Sequence, residues 1–513
     1  MRRLVGAIAS GAATDGPAPG RPGGRARARR LALPAVLVAA IGLLAGCETM
    51  SPGDAPATIS VAAPATSRTI NSPESTLGAR EHPRLVSAYG GVYSNTKAER
   101  AVARIVGRLV AASDDPSRTY RVTILNSPAI NAFALPGGYL YVTRGLLALA
   151  EDGSEVAAVL AHEMAHVTAQ HAVARQRRVE AAAVVNRVAA NVTQASDTAR
   201  DAIASTQLSL AKFTQSQELE ADVIGVKTLA RAGFDPFAAA RFLTSMSRFA
   251  ALKSRRPGTN DRPDFLSSHP ATPERVELAV KAARQFGAPD TGSRDRDSYL
   301  EALDGMLYGD DPREGFVRGR SFLHRELGIA FGVPTGFLLE NTPKAVLASD
   351  GGTIAMRFDG VDVPASMSLA DYVASGWVTG LIGDSVRELT VNDRPAVTAS
   401  AISGGWSFRI GIVRTDKRVY RFIFATASPT PAFEAAFTET VKSFRVMSIS
   451  EVQALKPLRV RTVRTGAADT IDSLAARMQG VETGLQRDLF MVLNEIEQPT
   501  DLRQGELVKI VTE

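Results

Sequence analysis

The spacing of apolar positions changes along this chain, and the changes divide it into pieces. In Lys97 to Ala112, Val102, Ile105, Val106, Leu109 and Val110 recur at the spacing of one helix face. Tyr120 to Asn126 alternates instead, and Asn131 to Thr143 holds two apolar extended pieces broken by Pro136, Gly137 and Gly138, which predicts a hairpin. Ala157 to His171 is dominated by Ala, Leu, Glu, Met and Gln, lacks Gly and Pro, and follows cap-type residues at Asp152 to Ser154, so it predicts a helix. The helical pattern continues through much of Val173 to Lys212, with its expected break at Asn191 to Asp197. Ser216 to Phe234 predicts another helix ending at Gly233, and Phe234-Asp235-Pro236 opens the next. Arg255 to Leu266 is polar with two Pro and a Gly, which predicts a loop.

Residues 288–320 read as a linker with one short helix. Beyond it the apolar runs GIAFGVP and RVYRFIFATA and the alternating WSFRIGIVR predict strands, closed by a helix over Pro431 to Ser443 before SFRV. That order defines an α+β accessory domain with an antiparallel sheet over 321–448. Leu458 to Glu513 reads strand (LRVRTVR), helix (IDSLAARMQ), helix (LQRDLFMVLNEI), turn and strand (ELVKIVT), a βααβ unit over 456–513. A length of 513 residues suits about three domains. The fold class expected is α+β multidomain, with a mainly helical region and small sheet at 81–287 ahead of the two C-terminal units.

The N-terminal part differs in kind. Met1 to Arg30 is rich in Arg, Gly and Pro, and Leu31 to Ala45 is an uncharged 15-residue segment. That is short for a membrane span and suits the core of a signal peptide over 1–46. The segment ends in LAGC, Leu44 to Cys47, which resembles a bacterial lipoprotein signal in which the Cys becomes the lipidated first residue; an ordinary secretory signal with an incidental Cys is the alternative. Glu48 rather than Asp after Cys47 points, on that resemblance, to the inner face of the outer membrane, hence a periplasmic location. Residues 47–80, rich in Pro, Ala, Ser and Thr, read as a disordered tether whose roughly 30 residues reach about 30 Å.

Charge and cysteine content exclude some functions. The formal charge is +6, but seven Arg and only Asp15 among acidic residues precede Cys47. The rest of the chain is neutral, which removes the main support for a nucleic-acid partner. One Cys excludes a disulfide framework and a zinc ribbon.

The candidate chemistry lies in HEMAH, His162 to His166. On a helix these two histidines share a face and can converge on one ion, while Glu163 is offset by about 100° and stands beside it, placed to take a proton from a bound water. A helix with two stacked core histidines fits the same spacing. Further on, Glu218 and Asp222 share a helix face with the small residues Ala221 and Gly225, and Glu220 is turned about 200° away from Glu218. Glu218 could then complete a His, His, Glu ligand set, with Asp222 orienting a ligand imidazole; a solvated acidic face is the alternative. The loop 255–266 delivers SSHPATPER, with His269 on the loop and Arg275 on the next helix. His171 lies about 140° around a regular helix from His166 and is expected to stay outside the site, and His82 and His324 have no partner pattern.

HEMAH, ELEAD (Glu218 to Asp222) and HPATPER (His269 to Arg275), in this order with NAFALPGG upstream, resemble the zinc metallopeptidases of the CAAX-prenyl-protease and HtpX-like group, and more closely its periplasmic members without transmembrane helices. The resemblance covers about 81–287. It implies a zincin-type fold holding one Zn2+ per chain on His162, His166 and Glu218, with Glu163 as general base and Asp222 as an auxiliary acid. It also implies that His269 can occupy the open metal position as a plug or partner an oxyanion, with Arg275 near by. Many periplasmic relatives continue into tetratricopeptide repeats; no 34-residue period is present here. The accessory domain faintly resembles PsbP-like domains. The βααβ unit resembles a LysM domain, a peptidoglycan-binding module, although GAADT replaces the usual tighter Gly-Asp-Thr turn.

Taken together, the resemblances imply a lipid-anchored periplasmic zinc endopeptidase that acts in quality control on misfolded or stalled envelope proteins. A chaperone-like outer-membrane assembly factor with a plugged site is the first alternative, and a peptidoglycan hydrolase the second.

Overall fold

The computed structural model describes residues 59–61, 73–175, 213–255, 265–416, 418–481 and 484–513. The expected signal peptide, Cys47 and most of the helical continuation over Val173 to Lys212 lie outside the described residues. Among the described residues no helix is long and apolar enough to cross a membrane.

The peptidase-like region is built on a four-stranded sheet. Strands β1 (Ile59–Val61), β2 (Tyr120–Leu125), β3 (Ala132–Leu135) and β4 (Tyr139–Thr143) run in the order β1-β2-β4-β3, with β2 parallel to β4 and the other pairs antiparallel. The β3–β4 hairpin is the one read from the sequence; Gly137 and Gly138 take φ of 88° and 82°, which side chains rarely allow. Its outer strand, β3, is one edge of the sheet, and β1 is the other.

Helix α1 (Pro73–Ala88) and strand β1 correct the expected tether over 47–80: the chain re-enters regular structure at Ile59, pairs with β2 and is helical from Pro73. A three-residue strand needs only a free sheet edge, which composition does not reveal. Helix α2 (Thr96–Ala112), capped by Asn95, buries the apolar face anticipated for it.

After a short helix α3 (Arg144–Leu149), the HEMAH motif lies on α4 (Gly153–Thr168), capped by Asp152. Every residue of α4 from Gly153 to His166 is buried. Its many alanines let three partners pack closely: α2, α5 (Gln215–Arg231) and α6 (Ala238–Ser254). At Gly225 of α5 an added Cβ would lie 3.2 Å from the His162 backbone nitrogen, so glycine is what lets α5 reach the face of α4 that carries His162. A single helical turn (Phe265–Ser268) and helix α7 (Pro273–Ala283), started by Thr272 and Pro273, carry the HPATPER segment.

The expected linker over 288–320 is only partly one. Helix α8 (Arg296–Leu303) inserts Tyr299, Leu300 and Leu303 into the same core as α2 and α4, and the chain then enters the accessory domain at Phe316 rather than at 321. That domain is antiparallel throughout. A small sheet of β5 (Phe316–Arg318), β6 (Ser321–His324), β7 (Ile329–Gly332) and Arg445–Val446 faces a seven-stranded sheet spanning Leu338 to Thr426. Phe322, Phe331, Phe358, Phe422 and Phe437, the last on the closing helix Pro431–Ser443, fill the space between.

The C-terminal unit has the expected order: strand Arg459–Arg464, helices Ile471–Ala475 and Gln486–Leu493, and strand Leu507–Thr512, the two strands antiparallel. It is not a separate body. Leu474, Phe490, Leu493, Val508 and Ile510 belong to one continuous apolar cluster with Leu147, Val156 and Leu160 of the peptidase-like region. Segment 305–308 pairs with the first strand through Gly305 N to Val460 O, Val460 N to Met306 O and Tyr308 N to Leu458 O, all at 2.8 Å. Lys509, 1% exposed, donates to the carbonyls of Ala148, Leu149 and Ala150 and pairs with Glu151 at 3.1 Å, just ahead of the α4 cap.

Candidate active site

The sequence places two histidines one turn apart on α4, and the fold brings α5 and the 265–275 segment over them. His162 Nε2 and His166 Nε2 are 3.0 Å apart. Glu218 Oε2 lies 3.5 Å from His162 Nε2, and Glu218 Oε1 lies 3.5 Å from His166 Nε2. His269 Nδ1 closes the group, 3.3 Å from His162 Nε2 and 2.9 Å from each Glu218 oxygen. Four donors bonded tetrahedrally to one ion at about 2.0–2.1 Å would stand roughly 3.3 Å from one another; the contacts here run from 2.9 to 3.5 Å, and one ligand atom from each of the four residues lies within 4.8 Å of the others. All four residues, and Glu163, are at most 5% exposed. Among the described residues this is the one group of buried His and carboxylate donors with metal-binding spacing.

Glu163 sits beside the group, as its helical offset requires. Its Oε1 is buried without a hydrogen-bond partner and lies 3.6 Å from His269 Nε2. Burial raises its pKa, with His269 and His162 acting against that shift. A carboxylate with an orphaned oxygen next to a metal-sized cage suits a group that receives a proton from water.

The second row of contacts explains how the donors are held. His162 Nδ1 faces Asp222 Oδ1 at 2.9 Å. Arg275 grips Asp222 with Nε and Nη2, each at 2.7 Å, reaches Glu218 at 3.1 Å, and donates through Nη1 to the Pro270 carbonyl at 3.0 Å. One guanidinium therefore ties both carboxylates of α5 to the turn that carries His269. Burial alone would raise the Asp222 carboxyl; Arg275 and His162 reverse that and hold it at about 2. Burial likewise opposes a charged His162, but Asp222 and Glu218 outweigh it and raise its pKa to about 9, whereas burial takes His166 down to about 3. The carboxyl of Glu218 stays far below the ordinary range despite burial, because three imidazoles surround it.

The fold thus assembles all seven residues singled out in the sequence: His162, Glu163, His166, Glu218, Asp222, His269 and Arg275. It adds four that were not. Phe213 stacks on His166 at 4.0 Å between ring centres, and Phe265 on His269 at 4.6 Å. His171, expected outside the site, lies with Nδ1 2.9 Å from His166 Nδ1, and Glu220 is 3.3 Å from His171 Nε2. The helical projection failed because α4 ends at Thr168: Gln170 takes φ 55° and the chain turns before His171. No Gly or Pro marks that turn. His82, bonded to the Tyr141 hydroxyl at 2.7 Å, and His324, whose Nδ1 accepts from Leu327 N, stand elsewhere.

An HExxH helix is crossed here by a second helix with a carboxylate donor, beside a sheet that ends in β3, and the group they form could hold a metal ion. Residues 96–283 match the model of peptidase family M48. Over 189 residues the chain is 33% identical to a putative beta-barrel assembly-enhancing protease of Vibrio cholerae, covering 35% of this chain and 38% of that protein. It is 34% identical over 215 residues to the beta-barrel assembly-enhancing protease of Yersinia pestis, covering 40% and 43%. Similarity extends to the mitochondrial metalloendopeptidase OMA1 of Schizosaccharomyces pombe, 30% identical over 175 residues, covering 34% and 50%. The alignments thus span half or less of the length of each of these relatives.

Proposed function

We propose that this chain is a zinc-dependent endopeptidase of the bacterial envelope, anchored through lipidated Cys47 to the inner face of the outer membrane. Its substrates on this reading are misfolded or stalled envelope polypeptides. The observation that carries the peptidase reading is the buried group of His162, His166, Glu218 and His269 with Glu163 beside it, whose Oε1 has no hydrogen-bond partner.

Zinc, when bound, supplies a Lewis acid that polarises a peptide carbonyl and makes a water acidic enough to attack it. Glu163 takes the proton of the attacking water and passes it to the departing amine. Asp222 stands 2.9 Å from His162 Nδ1, and Arg275 holds Asp222. The edge strand β3 offers backbone groups to an extended peptide, which makes recognition tolerant of sequence. With a metal ion held by His162, His166 and Glu218, His269 would stand against it as a plug and would have to swing away for substrate to enter. The LysM-like order of 456–513 adds peptidoglycan as a second anchor, through the solvent-facing loops around 466–470 and 497–505.

A second reading, a chaperone-like assembly factor that holds clients with little turnover, is favoured by how closed the site is: every donor is buried and His269 lies against Glu218 and His162. Zinc-dependent cleavage of unfolded casein that disappears in Glu163→Gln separates the two. Release of muropeptides from purified sacculi would instead support a peptidoglycan hydrolase.

A further inference from the structure

The two helix histidines each face a different partner at Nδ1. For His162 the partner is Asp222, itself fixed by Arg275. For His166 it is another imidazole: His171 Nδ1 stands 2.9 Å away, and His171 Nε2 is 3.3 Å from Glu220 Oε2. The ring of His171 is buried and meets His166 edge-on, at 5.0 Å between centres and 70° between planes. The contact exists because α4 stops at Thr168. Ala169 donates back to the Ala165 carbonyl, Gln170 enters the left-handed region at φ 55°, and helical backbone resumes at His171. A non-glycine residue adopts that conformation at some cost, and here it is spent on bringing two imidazoles together.

If His166 Nε2 is to hold a metal ion, the hydrogens along this chain follow. A 2.9 Å contact between two imidazole nitrogens needs one N–H and one lone pair. If His171 donated, the hydrogen of neutral His166 would sit on Nε2, the atom that faces His162 and Glu218. His171 Nε2 would then point a lone pair at a carboxylate. The opposite direction has neither fault. His166 Nδ1–H donates to His171 Nδ1, His171 Nε2–H donates to Glu220, and the lone pair of His166 Nε2 is left for a metal ion.

We propose that His171 and Glu220 are positioning residues for the metal site, fixing the tautomer and ring orientation of His166 as Asp222 and Arg275 do for His162. The inference deepens the metallopeptidase reading and rests on it. It also gives the two ligands unequal support. The His162 branch ends in a buried bidentate ion pair, whereas the His166 branch ends in Glu220, whose side chain is 59% exposed. Loss of Glu220 should therefore matter less than loss of His171.

The test is zinc affinity of the full chain, by competition with a chromophoric chelator, together with the visible spectrum of the Co2+-substituted protein. His171→Ala is expected to weaken zinc binding about 10- to 100-fold and to change the Co2+ ligand-field bands. Glu220→Gln should weaken it several-fold, and His171→Gln, whose amide oxygen can accept from His166 Nδ1, should recover part of the loss. A role in packing alone would lower the unfolding temperature and leave the Co2+ bands unmoved. Should His171→Ala not fold, wild-type affinity and bands in both Glu220→Gln and His171→Gln overturn the proposal. A wild-type chain that takes up no zinc overturns the metal-site reading and this inference with it; zinc-loaded wild type beside unaffected variants overturns this inference alone.

Discussion

His269 Nδ1 lies 2.9 Å from both carboxylate oxygens of Glu218 and 3.3 Å from His162 Nε2, at the corner of the donor group that a catalytic zinc would leave open. His162, His166 and Glu218 remain when it is removed, so His269→Ala should still bind one zinc. If the open form is at most about a tenth of the wild-type population, casein cleavage by the variant should rise about tenfold or more. Loss of cleavage in His269→Ala would instead assign the ring to the chemistry.

Gly225 tests how closely α5 must approach α4. A Cβ at this position would meet the His162 nitrogen at 3.2 Å and its Cα at 3.4 Å, both backbone atoms that cannot swing aside. Gly225→Ala should destabilise the fold by about 1–3 kcal/mol and weaken zinc binding, because Glu218 rides on the displaced helix. Chelator competition and thermal unfolding measure the two effects separately.

Much of this site was legible in the sequence because its parts obey short-range periodicity. His162 with His166, and Glu218 with Asp222, are each four residues apart on regular helix, so spacing alone fixed their common faces. Arg275 and His269 needed the family resemblance, since nothing local brings a loop across to another helix. His171 was misjudged for a stated geometric reason: the projection assumed a helix that in fact turns at Gln170. The antiparallel accessory domain and the βααβ order followed from alternation and turns. The docking of 456–513 onto the peptidase-like region did not, because an amphipathic strand carries no mark of which surface will cover it. Lys509 was a clue in hindsight, a lone cation inside LVKIVT that needs buried acceptors.

That docking predicts a dependence of the peptidase-like region on the C-terminal strand. Lys509 satisfies three carbonyls at the end of α3 and pairs with Glu151, which Arg296 also contacts. Lys509→Met should cost about 3–5 kcal/mol, the usual effect of stripping one partner from a buried pair. Denaturant unfolding measures this, and Lys509→Met with Glu151→Gln should recover part of it. An unchanged midpoint for Lys509→Met would mean that the two regions are separable.

Glu155, in the first turn of α4, gives a pH signature. Burial, followed by the nearby Glu495 and Asp152, raises its carboxyl pKa well above the ordinary 4.5. The folded state therefore keeps a proton that the unfolded state releases, and this contribution to stability is lost as pH rises from 4.5 through the folded value. Glu155→Gln, which keeps an acceptor for the Glu151 amide, should be relatively more stable at about pH 8 than at about pH 5 when compared with wild type. A difference in unfolding temperature that does not change with pH would contradict the assignment.

The most direct measurement is zinc content together with cleavage of unfolded casein, wild type beside Glu163→Gln, with His269→Ala as the unplugged reference. One zinc per chain in all three proteins is expected, with cleavage by wild type or by His269→Ala, and none once Glu163→Gln is introduced into whichever of them cleaves. Absence of zinc, or cleavage that survives Glu163→Gln, would contradict the assignment of this chain as a zinc endopeptidase acting through Glu163.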